Sequence, residues 1–139
     1  SYTTYMNLEY KIAECIAREA HLGQFRRDGV TPYFDGHVKW VAVQFDALYE
    51  GKQKAVAYLH DVLEDCPKYT AERLLSFGIS QEVVDAVVAI TKVEGENYDD
   101  YLIRVKGNSL ADIACNLADK PTNKQKAKYE KALIFLLQE

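Results

Sequence analysis

The stretch Tyr58-Leu-His-Asp-Val-Leu-Glu-Asp-Cys-Pro67 gathers side chains suited to holding a cation and moving a proton. On a helix, His60 and Glu64 lie one turn apart, as do Asp61 with Glu64 and Asp65, so one edge carries a histidine and three carboxylates. Like charges at these spacings repel by roughly 0.2–0.5 kcal/mol per pair. Carboxylates in the last turn before Pro67 also meet the negative end of the helix dipole. A divalent ion held by His60 and Asp61 would reverse the sign of both effects, because the ion would then be the largest local charge. A solvated polar face is the alternative. His37, at the start of the preceding predicted helix and just after Gly36, is placed to reach across to this edge. Further along, Asp112, Asn116 and Asp119 recur at i, i+4 and i+7, opposite the apolar stripe of Leu110, Ile113, Ala114 and Leu117. Two imidazoles and two carboxylates, with water completing an octahedron, suit manganese, iron or zinc better than calcium, which prefers oxygen throughout. Taken singly, His37 also reads as a helix-end histidine and Asp112 as a surface charge.

The elements that must position these groups are helical. Leu8, Ile12, Cys15, Ile16 and Ala20 repeat at helical spacing and predict a first amphipathic helix ending near Gly23. The segment from Gly23 to Gly36 carries the Gly, Pro and Asp punctuation of a long loop, and such loops are often functional. Val38, Val41, Ala42, Phe45, Leu48 and Tyr49 predict a second helix up to Gly51. Ala55, Val56, Leu59, Val62, Leu63 and Cys66 predict a third, which Pro67 ends. Thr70 opens a short helix through Phe77. Ser80 caps a Val-rich segment that its length and start signal assign to helix rather than strand. Helices follow over about Asn97 to Lys106, around Leu110 to Leu117, and from Asn123 to Leu137, with Tyr129, Ala132, Leu133 and Leu136 facing inward. The expectation is one all-α domain over residues 1–139, a bundle of roughly seven or eight helices. Residues 1–6 leave open a tag remnant ahead of Met6.

Composition bounds the function. The chain has 139 residues, 48% hydrophobic and 27% charged, enough to bury a single core without help from disulfides or a structural metal. Seventeen Lys plus Arg against twenty-one Asp plus Glu give a net charge of −4, which disfavours binding a nucleic acid polymer. Cys15, Cys66 and Cys115 form neither a C-x-x-C pair nor an even set, which points to a reducing cytoplasm. No apolar run reaches the length of a membrane span and the start lacks signal-peptide character, so no membrane role is expected.

The ordered series His37, His60-Asp61, Asp112 resembles the H…HD…D ligand pattern of the HD-domain metal-dependent phosphohydrolases. The similarity extends to Ala20-His21-Leu-Gly23-Gln24-Phe-Arg26-Arg27-Asp-Gly29, Pro32-Tyr33, Leu59-His-Asp-Val-Leu-Glu-Asp65, Thr91-Lys92 and Ala111-Asp112-Ile-Ala-Cys-Asn116. Together these resemble the hydrolase domain of the RelA/SpoT family, from about Ala17 to Asp119. The resemblance implies an HD-type helical bundle that removes the 3′-pyrophosphate from guanosine tetra- and pentaphosphate alarmones. It implies one metal on His37, His60, Asp61 and Asp112, usually manganese, with another divalent transition metal as the alternative. It assigns Glu64 and Asp65 to orienting and activating the attacking water. Arg26 and Arg27 match a basic pair that contacts the nucleotide, Asn116 a residue on the sugar or phosphate, and His21 a structural histidine beside the ligands. Ser109, Cys115 and Ala118 depart from the family pattern, as does a somewhat longer loop from Arg27 to His37. These changes touch the pocket wall rather than the metal and bear on the choice of nucleotide. The chain lacks the synthetase and regulatory domains of the long family members, so a free-standing small hydrolase is expected. The rivals are an HD phosphatase acting on a nicotinamide dinucleotide 2′-phosphate or a deoxynucleoside triphosphate, a non-catalytic nucleotide-binding module, and a helical interaction domain without metal.

Overall fold

A computed structural model describes residues 2–45, 52–111 and 122–138. Helix α1 (Tyr2–Ala20) leads into a loop. A π-helical segment (Phe34–Val38) then runs directly into α2 (Lys39–Val43). After these come α3 (Lys52–Leu59), α4 (Val62–Asp65), α5 (Ala71–Ser76), α6 (Gln81–Ile90), α7 (Tyr98–Lys106) and α8 (Asn123–Leu137). The protein is all-α: among the described residues the only extended pairing is an isolated bridge between Phe25 and Pro32. No described helix is long and apolar enough to cross a membrane. The predicted helix around Leu110 to Leu117, beyond Ala111, and the end of the second predicted helix, Leu48 to Gly51, lie outside the described residues.

Helix α3 is the central element, packed on α1 on one side and on α6 on the other, while α7 joins α6 to α8. Val56, Leu59, Val62, Leu74, Val83, Val84 and Val87 are fully buried. Burying each such side chain contributes about 1.5–3 kcal/mol, which exceeds the few tenths by which valine disfavours a helix. That balance explains why the Val-rich segment is α6. Its start follows the sequence reading, with the Ser80 hydroxyl accepting from the Val83 amide. Thr70 and Asn97 cap α5 and α7 in the same way, and Thr122 with Gln125 forms a capping box at α8.

Two departures from regular helix build the site. The stretch predicted as one helix through Cys66 is broken at His60 and Asp61, which form a turn between α3 and α4. Asp61 lies at φ −109° and ψ 0°, in the sparsely populated bridge region. The His60 ring takes part in the break, since its Nδ1 lies 2.6 Å from the Ala57 carbonyl, the acceptor that residue 61 would use in a continuous helix. The second departure is the π turn that carries His37, closed by the Lys39 amide on the Phe34 carbonyl. The preceding loop packs against it at Gly36, where a Cβ would come within 2.7 Å of Thr31 Cγ2 and 3.1 Å of Arg26 Cγ. Glycine is required there by space rather than by backbone angle.

The floor of the cleft is braced from α7. Tyr101 donates its hydroxyl to the Ile90 carbonyl at 2.8 Å. The Arg104 guanidinium donates to the carbonyls of Val88, Ala89 and Thr91 at the end of α6, and is held by Glu96 at 2.6 Å. These bonds satisfy the carbonyls that a helix C-terminus leaves without internal partners.

Candidate metal centre and cleft

His37, His60 and Asp61 meet at one point. His37 Nε2 lies 3.1 Å from His60 Nε2, and Asp61 Oδ2 lies 3.0 Å from His60 Nε2 and 3.4 Å from His37 Nε2. All three side chains are buried. Because the Ala57 carbonyl can only accept, His60 Nδ1 carries the hydrogen of that contact, and the ring is held with Nε2 facing Asp61 and His37. Donors bound to one transition-metal ion at about 2.0–2.2 Å stand roughly 2.8–3.1 Å apart in octahedral and roughly 3.3–3.6 Å apart in tetrahedral geometry, so the observed spacing falls in the range for a single ion. Two imidazole nitrogens with a carboxylate oxygen match the chemistry of manganese, iron or zinc. Asp112, the fourth expected ligand, and Asn116, expected at the substrate, lie outside the described residues.

Around Asp61, burial alone would raise the carboxyl pKa. The charge of His60 and hydrogen bonds from His37, His60 and Tyr33 outweigh it and hold the group well below the usual carboxylate range. Asp61 is therefore ionised and ready to ligate. Tyr33, which sequence reasoning noted only as part of a motif, donates its hydroxyl to Asp61 Oδ2 at 2.6 Å. Its ring sits between those of His21 and His37, with centroids 5.2 Å from each. Burial and the adjacent carboxylate push the phenol well above its ordinary pKa, so Tyr33 remains a donor at any working pH. Partners of this kind typically contribute 10–100-fold to metal affinity. Tyr33→Phe is therefore expected to keep the fold and to bind manganese at least about tenfold more weakly in calorimetric titration. Unchanged affinity would show that the phenol does not position the ligand.

Glu64 and Asp65 follow in the short helix α4, each partly exposed, and Asp61, Glu64 and Asp65 each offer an oxygen within 4.8 Å of the other two. Both carboxyls are raised above their ordinary pKa, first by burial and then by the charge of Asp61, with Lys92 opposing at Glu64 and His21 at Asp65. The main chain of Asp65 is anchored separately. Gln24 donates its amide to the Asp65 carbonyl at 3.1 Å and contacts Cys66 Sγ at 3.6 Å, while its Oε1 accepts from His21 Nδ1 at 2.7 Å. His21 is thus a buried structural link, its pKa lowered mainly by burial, and its Nε2 has no hydrogen-bond partner among the described residues. The Ala-His and Gln of the first motif fasten the arginine loop to the carboxylate helix, a connection that spacing alone does not reveal.

That loop is a rigid structure. Arg26 N donates to the Thr31 carbonyl at 2.8 Å and Tyr33 N to the Gln24 carbonyl at 2.8 Å. Asp28 closes the tip, accepting from the amides of Val30 and Thr31 at 2.9 Å and from the Thr31 hydroxyl at 2.6 Å, while Gly29 takes the left-handed φ of +73°. The bonds from Thr31, then Val30, lower the exposed Asp28 carboxyl to about 2 from an ordinary 3.8. With the folded value below the unfolded one, the contribution of this carboxylate to loop order is complete above pH 3.8 and is lost as pH falls through about 2. NMR titration of the Asp28 carboxyl should show a midpoint near about 2, and a midpoint at 3.8 would mean that the clamp is not made.

The ligand cluster lies on one side of a cleft of about 400 Å³ that Arg26, Arg27, Glu64, Asp65 and Lys92 also line. Phe25 and Tyr33 from the loop and Ile90, Tyr101, Gln125 and Tyr129 complete the described wall, so α6, α7 and α8 line the cleft together with the loop. The structure thus brings together His37, His60, Asp61, Glu64, Asp65, Arg26 and Arg27 from separate segments. Tyr33, Gln24 and Lys92 join them as residues whose place at the site emerges from the geometry.

An 81-residue stretch of the chain is 41% identical to the guanosine-3′,5′-bis(diphosphate) 3′-pyrophosphohydrolase of Haemophilus influenzae. The match covers 57% of this chain and 12% of that protein, so the chain spans a small fraction of the relative's length. No protein-family model matches the chain.

Proposed function

We propose that this chain is a metal-dependent phosphohydrolase that removes the 3′-pyrophosphate of guanosine 3′,5′-bis(diphosphate). The observation that carries this reading is the convergence of His37 Nε2, His60 Nε2 and Asp61 Oδ2 within 3.4 Å of one another, beside two further carboxylates and a basic loop. The partial identity to a pyrophosphohydrolase supports the same chemistry.

In this reading His37, His60 and Asp61 hold the ion, with Asp112 as the expected fourth ligand. When bound, a manganese or similar ion lowers the pKa of water and offsets phosphoryl charge. Asp65 and Glu64, whose raised pKa values make them better proton acceptors than ordinary carboxylates, take the proton of the attacking water. Oxygen of that water bonds to the phosphorus attached at the 3′ position. The bond from that phosphorus to the 3′ oxygen breaks, and the 3′ oxygen leaves with a proton, giving guanosine 5′-diphosphate and pyrophosphate. Arg26 and Arg27 orient the phosphates, and guanidinium groups suit this because they can fork onto phosphate oxygens.

The experiment is a manganese-dependent release assay on a panel of phosphorylated nucleotides: guanosine 3′,5′-bis(diphosphate), a nicotinamide dinucleotide 2′-phosphate and deoxynucleoside triphosphates. Pyrophosphate release from the first in preference to the others supports the proposal. Preference for either of the others replaces the substrate but keeps the reaction class, and binding without product from any of them contradicts an enzyme.

A further inference from the structure

We infer that the Phe25 ring is the nucleobase platform of this cleft. The inference rests on the nucleotide reading above and adds the residue that takes the base. Phe25 is 53% exposed and stands outside the hydrophobic core, yet its backbone is fixed by the bridge to Pro32 and by the bonds of the flanking residues 24 and 26 across the loop. A single exposed ring is ordinary by itself, and what singles out Phe25 is its place in the lining of a concave site that also holds charged groups. Position separates it from its neighbours: Leu22 and Val30 are more exposed on the same loop, but only Phe25 among these three lines the cleft. Directly after it come Arg26 and Arg27, which line the same cleft, and beyond them the imidazole and carboxylate cluster.

The cleft therefore combines an aromatic side chain, guanidinium groups and a cation-binding cluster in one lining. A free phosphate or a phosphosugar uses the last two and leaves the ring idle. A nucleotide uses all three, the base stacking on the ring while the phosphates reach the charged end. Stacking on an aromatic side chain is tolerant of base identity, because every base has a π-face. Phe25 thus contributes affinity for nucleotides as a class, and discrimination of guanine from adenine falls to other groups.

Dissociation constants for guanosine 5′-diphosphate, adenosine 5′-diphosphate and inorganic pyrophosphate, measured by calorimetry on the manganese-loaded chain, test this. Phe25→Ala should weaken both nucleotides by about tenfold and leave pyrophosphate unchanged. Phe25→Trp should keep nucleotide affinity, whereas Phe25→Leu, which retains bulk without a π-face, should behave like the alanine variant. Equal weakening of pyrophosphate, or unchanged nucleotide affinity in Phe25→Ala, overturns the platform. The two proposals fail separately. Hydrolysis by the wild type with no nucleotide effect in Phe25→Ala overturns only the platform. Ring-dependent nucleotide binding by a wild type that forms no product supports the platform and overturns only the hydrolase.

Discussion

Asp61→Ala is expected to fold and to bind manganese more than about 100-fold more weakly than the wild type, taking turnover with it. The figure exceeds what loss of a supporting hydrogen bond costs, because Asp61 Oδ2 is where both imidazole nitrogens and the Tyr33 hydroxyl converge. Removing it leaves the two imidazoles without the carboxylate oxygen that lies within 3.4 Å of both. The fold should survive for a specific reason. The substitution leaves the Tyr33 hydroxyl without its acceptor, a cost of about 1–3 kcal/mol, but it also removes a buried charge that was costly to desolvate. Circular dichroism checks the fold, calorimetry the metal, and pyrophosphate release the reaction. Wild-type turnover in a folded Asp61→Ala protein would remove the metal-centred account.

Asp65→Asn separates base from ligand. The amide keeps the size of the carboxylate, and the main chain of residue 65 stays anchored through the Gln24 bond to its carbonyl, so the helix turn should be unmoved. What is lost is the ability to accept a proton from water, and general base catalysis is typically a 10²–10⁴-fold effect, so turnover should fall by about that factor. Manganese affinity should stay close to that of the wild type. Equal losses in turnover and metal affinity would instead make Asp65 a ligand. That outcome would fit the second cluster, in which Asp61, Glu64 and Asp65 lie near enough to share an ion.

Most of the helical architecture was legible because its signals are local. Thr70, Ser80 and Asn97 cap α5, α6 and α7 as their types and positions indicate, and the apolar periodicities mark the buried faces. The break between α3 and α4 was not legible, since Leu59, Val62, Leu63 and Cys66 keep helical spacing straight through it. At the break the His60 side chain occupies the Ala57 carbonyl that the helix would otherwise use, and a histidine at that position carries no sequence mark of the choice. The π turn is hidden for a different reason: the Gly, Pro and Asp residues up to Gly36 read as loop, yet the turn there sets His37 against His60. The roles of Tyr33 and Gln24 depend on contacts 28 and 41 residues away in sequence, which no single-sequence periodicity encodes.

The ion-sharing geometry can be read directly by electron–nuclear double resonance on the chain loaded with stoichiometric manganese(II). The account predicts one bound ion with couplings from two imidazole nitrogens, one lost in His37→Ala and the other in His60→Ala. A manganese signal with no nitrogen coupling, or couplings unchanged in both variants, would contradict it.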